Sequence, residues 1–163
     1  VPQTNSFLMQ TATFLKDAWA PLGVSPTVRP LSAVEVSEVI KTRNYQMLLF
    51  GNVFGRSADL YSFWHSSERF YPGLNLSLYE NRTVDGLIES VRKTMQQDKR
   101  VRDWETLQLS IVRDMPVLFL YSPHYTYAVT TRLRGFSATT LPLASDRFDH
   151  VEDWYFYTDR VFK

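Results

Sequence analysis

Asp59, His65 and Ser66 bring together the side chains of an acyl-transfer site: a hydroxyl nucleophile, an imidazole base and a carboxylate to orient it. The spacing speaks against that chemistry. No Gly-x-Ser-x-Gly elbow surrounds Ser66, and adjacent residues on a helix do not face one another. His65 reads better as a helix-end residue near the negative end of the helix dipole than as a catalytic base. A hydrolase using a cleft near Asp59, His65 and Ser66 stands as the alternative to the reading developed below. Asp146, Asp149, Glu152 and Asp153 could supply paired carboxylates, but their turn-like polar setting suits solvated acids, because perturbed acidity needs burial. His65, His124 and His150 are too scattered for local metal-ligand spacing, and cysteine is absent, so no metal and no cofactor is expected. Gly51 and Gly55 form neither a GxGxxG fingerprint nor a Walker motif. Asn75-Leu76-Ser77 and Asn81-Arg82-Thr83 match the glycosylation sequon, a triplet frequent by chance.

Binding has a better candidate in Gly51 to Trp64. This segment leaves the carboxyl end of an apolar run, where ligands sit in open α/β sheets. It carries Asn52, Phe54, Arg56, Asp59, Tyr61 and Trp64, aromatics with one charge of each sign, which fit a zwitterionic or amphipathic solute. For Trp64 the competing reading is a residue that pins a short helix to the core. Aromatic residues make up 15% of the chain, enough for a recognition surface or for an aromatic-rich core. A net charge of +1 gives no electrostatic case for nucleic acid or an anionic membrane surface. With 163 residues the chain can bury a core without disulfide or metal staples, and no apolar run approaches the roughly 18 residues that span a bilayer.

The elements that would position these residues alternate. Residues 5–20 read as a helix stopped by Pro21 and Gly23, and 24–28 as a short strand. Ser32-Ala33-Val34-Glu35 is a capping box opening a helix to about Lys41. Residues 45–51 read as a buried strand ended by Gly51. Asp59 is expected to cap a short helix through Trp64. Residues 66–82 form a long connection, of the kind that is usually functional or mobile. Thr83 is expected to cap a helix with Val84, Leu87, Ile88, Val91 and Met95 inward. Asp98 is expected to cap another, to about Asp114, burying Val101, Trp104, Leu107, Ile111 and Met115. Strands are expected at 117–121 and, less regularly, at 125–129. A strand, a helix and a further strand favour a right-handed parallel crossover, hence an α/β layer. Beyond Gly135 no firm period remains. Val1 to Asn5 has neither a basic n-region nor an apolar h-region, so it is not a signal peptide, and an excised or processed piece is expected.

An ordered set of segments resembles a known family. The set is Leu22-Gly23-Val24, Tyr45 to Gly51, Asp59 to Ser66, Leu78 to Ile88, Pro116 to Tyr121 and Arg134-Gly135-Phe136, with Tyr79-x-Asn81-x-x-Val84-Asp85-x-Leu87-Ile88 the most distinctive. It is similar to the C-terminal part of the family 5 extracellular solute-binding proteins, the oligopeptide, dipeptide and nickel receptors of ABC transporters. The resemblance implies a periplasmic-binding-protein type II-like α/β lobe, a small, mostly parallel sheet flanked by helices. Residues 1–129 would be the C-terminal lobe and 130–163 a tail returning to a missing N-terminal lobe, which leaves the tail's apolar residues exposed or packed on another copy.

What the family does would follow from grip without bond chemistry. Two lobes close over a peptide or other small solute, and the closed receptor docks on a membrane permease. The chain would then be no enzyme, extracytoplasmic, and lipid-anchored through its missing N-terminal part. The solute would meet Asn52, Phe54, Gly55, Arg56, Asp59, Trp64 and Tyr121. One departure bears on the solute. Where peptide-binding members place Gly-Trp and then an Asp for the peptide's amino terminus, this sequence has Gly51-Asn52 and then Gly55. Asp59 matches the acid of the family's following Asp-Pro pair, and Arg56 brings positive charge. That implies an unusual peptide or a solute that is not a peptide.

Overall fold

Short-range capping chemistry fixes where the helices begin and end. In the computed structural model, residues 1–53, 59–137, 141 and 143–157 are described. Helix α1 (Ser6–Trp19) starts where the Asn5 side chain accepts from Leu8 N–H, and passes through a 3-10 turn (Ala20–Leu22) to Gly23. Gly23 has φ +76°, the left-handed conformation that glycine adopts without a Cβ penalty. Helix α2 (Ala33–Thr42) opens on the expected capping box, in which Ser32 Oγ accepts from Glu35 N–H while the Glu35 carboxylate accepts from Ser32 N–H at 2.7 Å. Helix α3 is the single turn Tyr61–Trp64.

Helices α4 (Arg82–Lys93) and α5 (Gln97–Asp114) form a hairpin that carries the core. Val84 and Ile88 from one and Leu107 and Ile111 from the other are buried with Trp64, and Leu60, Phe63, Tyr79, Leu87, Trp104 and Val117 pack around them. Three residues expected inside lie outside. Met95 sits in the short link between the two helices and is 94% exposed, while Val101 and Met115 are on the solvent side of α5 and beyond its end. The cap of α4 also differs from expectation. Asn81, not Thr83, accepts from the N–H groups of Thr83 and Val84, because the helix begins at Arg82 and Thr83 already lies inside its first turn. Gln96, rather than Asp98, is the N-cap of α5 and makes no side-chain capping bond.

The described residues divide into two units. The first comprises Val1–Asn52 and Asp59–Leu118; the second takes in Val53 and the described residues from Phe119 onward. Within the first, Pro2 and Leu31 form one parallel bridge. The second holds β1 (Leu133–Arg134) paired antiparallel with β2 (Tyr155–Phe156). The apolar runs at 24–28, 45–51, 117–121 and 125–129 form no ladder among the described residues. A strand needs a neighbour to take its backbone N–H and C=O groups, and no described segment lies in register beside these. Met47, Leu118 and Phe119 are correspondingly about 60% exposed or more. In the second unit Arg147 lies over the rings of Tyr127 and Phe148 and donates to Tyr125 Oη at 3.0 Å, and Trp154 packs between Phe136 and Phe148.

The long connection of 66–82 is tied down. The Arg43 guanidinium donates to the carbonyl oxygens of Arg69 and Gly73. Asn75 is fully buried and makes hydrogen bonds in every direction its amide allows. Its Nδ2 donates to His65 O and Tyr79 O, and its Oδ1 accepts from Ser77 Oγ and Tyr79 N–H. A buried amide so satisfied holds the loop in one shape. Asn75 is therefore closed to glycosylation in the folded chain, and Asn81, the other sequon asparagine, is taken up in the α4 cap.

Candidate functional site

Of the residues expected to meet a solute, Phe54, Gly55 and Arg56 lie outside the described residues. Asn52 is exposed at the end of the run that leads into them, and Asp59 is exposed where the chain resumes. Trp64 is 8% exposed and edge-on to Tyr79 at 6.4 Å, in the core with α4 and α5. Tyr121 belongs to the second unit and is 53% exposed.

Around Asp59 and α3 the side chains interlock. Asp59 Oδ1 accepts from Tyr61 N–H at 3.1 Å, which begins the helix one residue before its formal N-cap, Leu60. Asp59 Oδ2 lies 3.4 Å from Arg92 Nε on α4. The same guanidinium covers the Tyr61 ring at 4.5 Å, a cation–π contact. On the ring's other partner side, Tyr61 stacks with His65 at 4.2 Å and 20°. Arg92, Tyr61 and His65 thus form a layered stack that fixes α3 against α4.

His65 ends α3 and begins the 3-10 turn Ser66–Glu68. Its Nδ1 accepts from Ser67 N–H at 3.1 Å and lies 2.9 Å from Ser67 Oγ. In the neutral ring the proton therefore sits on Nε2, which faces Glu89 Oε1 at 3.7 Å. Lys93 pairs with the same carboxylate at 2.7 Å and holds it below the usual acidic range. Ser66 donates its N–H to Asp85 Oδ1 at 2.8 Å.

These partners overturn the hydrolase alternative. Asp59 is committed to Arg92 and Tyr61, His65 turns its Nδ1 to Ser67, and Ser66 is directed by its backbone to Asp85. Acid and base are oriented toward other partners, and Ser66 Oγ is buried without a hydrogen-bond partner among the described residues, so no hydrogen-bonded relay links the three. The reading of His65 as a helix-end residue agrees with its place as the C-cap of α3. Sequence reasoning missed Arg92, whose partners lie some thirty positions upstream, beyond any local pattern.

Among the described residues, His150, Glu152 and Asp153 bring ligand-type atoms within 4.8 Å of one another, and all three are exposed. Such surface groups are common without an ion. Asp146 caps its own turn, accepting from Leu143 N–H at 3.0 Å. Among the described residues, no helix is long and apolar enough to cross a membrane.

No protein-family profile matches the chain. Among curated proteins it is 28% identical over 119 residues to the probable D,D-dipeptide-binding periplasmic protein DdpA of Escherichia coli, covering 71% of this chain and 23% of DdpA. It is 26% identical over 108 residues to the oligopeptide-binding protein AppA of Bacillus subtilis, covering 63% of this chain and 20% of AppA. The chain thus spans about a quarter or less of the length of these relatives. The solved structure of AppA in complex with a nonapeptide superposes with a TM-score of 0.72 at 20% identity, covering 94% of this chain and 30% of that one. The fold is accordingly that of the matched portion of AppA, an α/β lobe, and in sequence and architecture together the chain resembles one portion of a family 5 extracellular solute-binding protein.

Proposed function

We propose that this chain is the ligand-capturing lobe of an extracytoplasmic receptor that delivers peptides or a related solute to an ABC transporter. The observation that carries the reading is the pair of curated relatives, both named as peptide-binding proteins, that match across most of this chain. Residues 1–129 form the lobe and 130–163 the tail that returns to an N-terminal lobe. Exposed Tyr155, Phe156 and Tyr157 fit a tail whose partner surface lies in that other lobe. The residues proposed to meet the solute are those read from the sequence, Asn52, Phe54, Gly55, Arg56, Asp59, Trp64 and Tyr121. The receptor is held at the membrane by a lipid on its N-terminal part.

Binding in such a clamp depends on closure, so a single lobe grips poorly. The isolated chain is expected to bind trialanine or D-alanyl-D-alanine no better than millimolar by calorimetry, and micromolar binding would overturn the divided grip. Deleting the gene that encodes the chain is expected to abolish uptake of at least one radiolabelled di- to nonapeptide by the cell. Unchanged uptake across that series would overturn the transport reading.

A further inference from the structure

We infer that His65 is a proton-operated latch between α3 and α4: a proton taken up on Nδ1 exchanges one Ser67 partner for another and makes the facing Glu89 carboxylate an ion-pair partner. The inference is independent of the transport reading. The two ring nitrogens have surroundings suited to different protonation states. Ser67 offers Nδ1 both kinds of partner. Its N–H donates to the bare nitrogen at 3.1 Å, and its Oγ lies 2.9 Å away. That hydroxyl gives its own proton to Glu68 Oε1 at 3.0 Å and meets Tyr61 Oη at 3.1 Å, which leaves a lone pair for an Nδ1–H. Nε2 is buried and makes no hydrogen bond among the described residues. Glu89 Oε1 stands 3.7 Å from it, too far for a hydrogen bond and close enough for an ion pair. The imidazolium therefore uses both nitrogens where the neutral ring uses one. The other charges near the ring come from α4 and from the 3-10 turn. Arg92 covers the Tyr61 ring on which His65 stacks, and Lys93 shares Glu89; both oppose a charge on the imidazole. Glu68, Asp85 and Glu89 favour one, and of these Glu68 is taken by Ser67 Oγ and Asp85 by Ser66 N–H. Glu89, held below the usual carboxylate range by Lys93, stays ionised where an imidazole gains its proton and is the acid left to answer it.

Ring-nitrogen NMR spectra of His65 in the whole chain test this between about pH 8 and about pH 5, a span that crosses the ordinary imidazole range. At the upper end the ring is expected as the single Nε2–H tautomer. At the lower end it is expected as the imidazolium, with the Ser67 amide proton moving upfield as it loses its acceptor. An Nδ1–H tautomer at the upper end, a ring still neutral at the lower end, or an unmoved Ser67 amide overturns the inference. Thermal melts of His65→Phe, Glu89→Gln and the double variant add a readout that ring packing alone does not move, since Phe keeps an aromatic face for Tyr61. At the lower pH the double variant is expected to fall short of the sum of the single losses by about 1–3 °C, as for one partly exposed ion pair in a chain of this size. At the upper pH the losses should add. A shortfall equal at the two pH values, or absent from both, overturns the inference. The spectra need only the wild-type chain and decide the matter even where a variant does not fold.

Discussion

Tyr79 Oη donates to Asp114 Oδ2 at 2.6 Å, which joins the end of the long loop to the carboxyl end of α5, 35 positions away. Asn81, the N-cap of α4, donates to the same oxygen at 2.7 Å. One carboxylate therefore gathers the start of one core helix and the end of the other. The loop that Tyr79 closes follows directly on α3 and its stack with Arg92, so this pair ties both ends of the loop to the core.

The acid side of the pH profile follows. Hydrogen bonds from Tyr79 and then Asn81 hold the Asp114 carboxyl below the usual carboxylate range. A depressed acid contributes stability above its unfolded value, near 3.9, and loses it as pH falls through the folded value. Asp103, held down by Lys99 and then Ser90, works in the same direction. Asp114→Asn is expected to lower the melting temperature at pH 6, with the gap to the wild type narrowing below about pH 4. Circular dichroism melts across pH 3–7 measure it, and a gap constant with pH would refute the linkage.

On the alkaline side the sign reverses. Burial, and then the Asp114 hydrogen bond, push the Tyr79 hydroxyl up to about 12. The folded state keeps its proton where the unfolded state loses it, so the contribution is complete below the unfolded value, about 10, and is lost as pH rises through the folded one. Absorbance titration at alkaline pH is expected to show a late-ionising tyrosine that Tyr79→Phe removes. The same substitution should flatten the fall in stability between about pH 10 and 12.

Asn75 is expected to be the most sensitive polar position of the loop. Asn75→Ala leaves the Tyr79 N–H and two partly buried carbonyl oxygens, those of His65 and Tyr79, without their partner. Each orphaned buried group costs about 1–3 kcal/mol, so a loss of roughly 3 kcal/mol or more is expected in denaturant titration. A loss below about 1 kcal/mol would mean that the amide does not organise the loop.

What was legible in the sequence was what local chemistry decides. The Ser32–Glu35 capping box and the Pro21–Gly23 stop involve partners within four positions, and both are as expected. The stripes Val84–Ile88 and Leu107–Ile111 follow from helical period alone. Asn75 read only as a chance sequon in a long connection because most of its partners are backbone groups, up to ten positions away, which no side-chain pattern encodes. Asp59 was legible as a capping acid, but its ion pair with Arg92 depends on how α3 packs on α4. The apolar runs at 45–51 and 117–121 have strand composition, yet pairing is a property of a neighbour as well as of the run.

Two glycines that look alike in sequence should respond oppositely to alanine. A Cβ at Gly73 would lie 2.2 Å from the Glu68 carbonyl oxygen and 2.5 Å from its carbon, backbone atoms that cannot swing aside. That approach exists because the loop folds back on its own 3-10 turn, where Gly73 N–H donates to Phe70 O and Asn75 N–H to Glu68 O. At Gly51 a Cβ would meet nothing within 4 Å. Gly51→Ala is therefore expected to change stability by no more than about 0.5 kcal/mol, as at other unencumbered surface positions. Gly73→Ala must push the turn apart and break the Asn75 network with it, and is expected to cost at least as much as Asn75→Ala, roughly 3 kcal/mol. Paired urea titrations decide the matter: equal midpoints for the two variants would show that the loop does not make the close approach at Gly73 in solution.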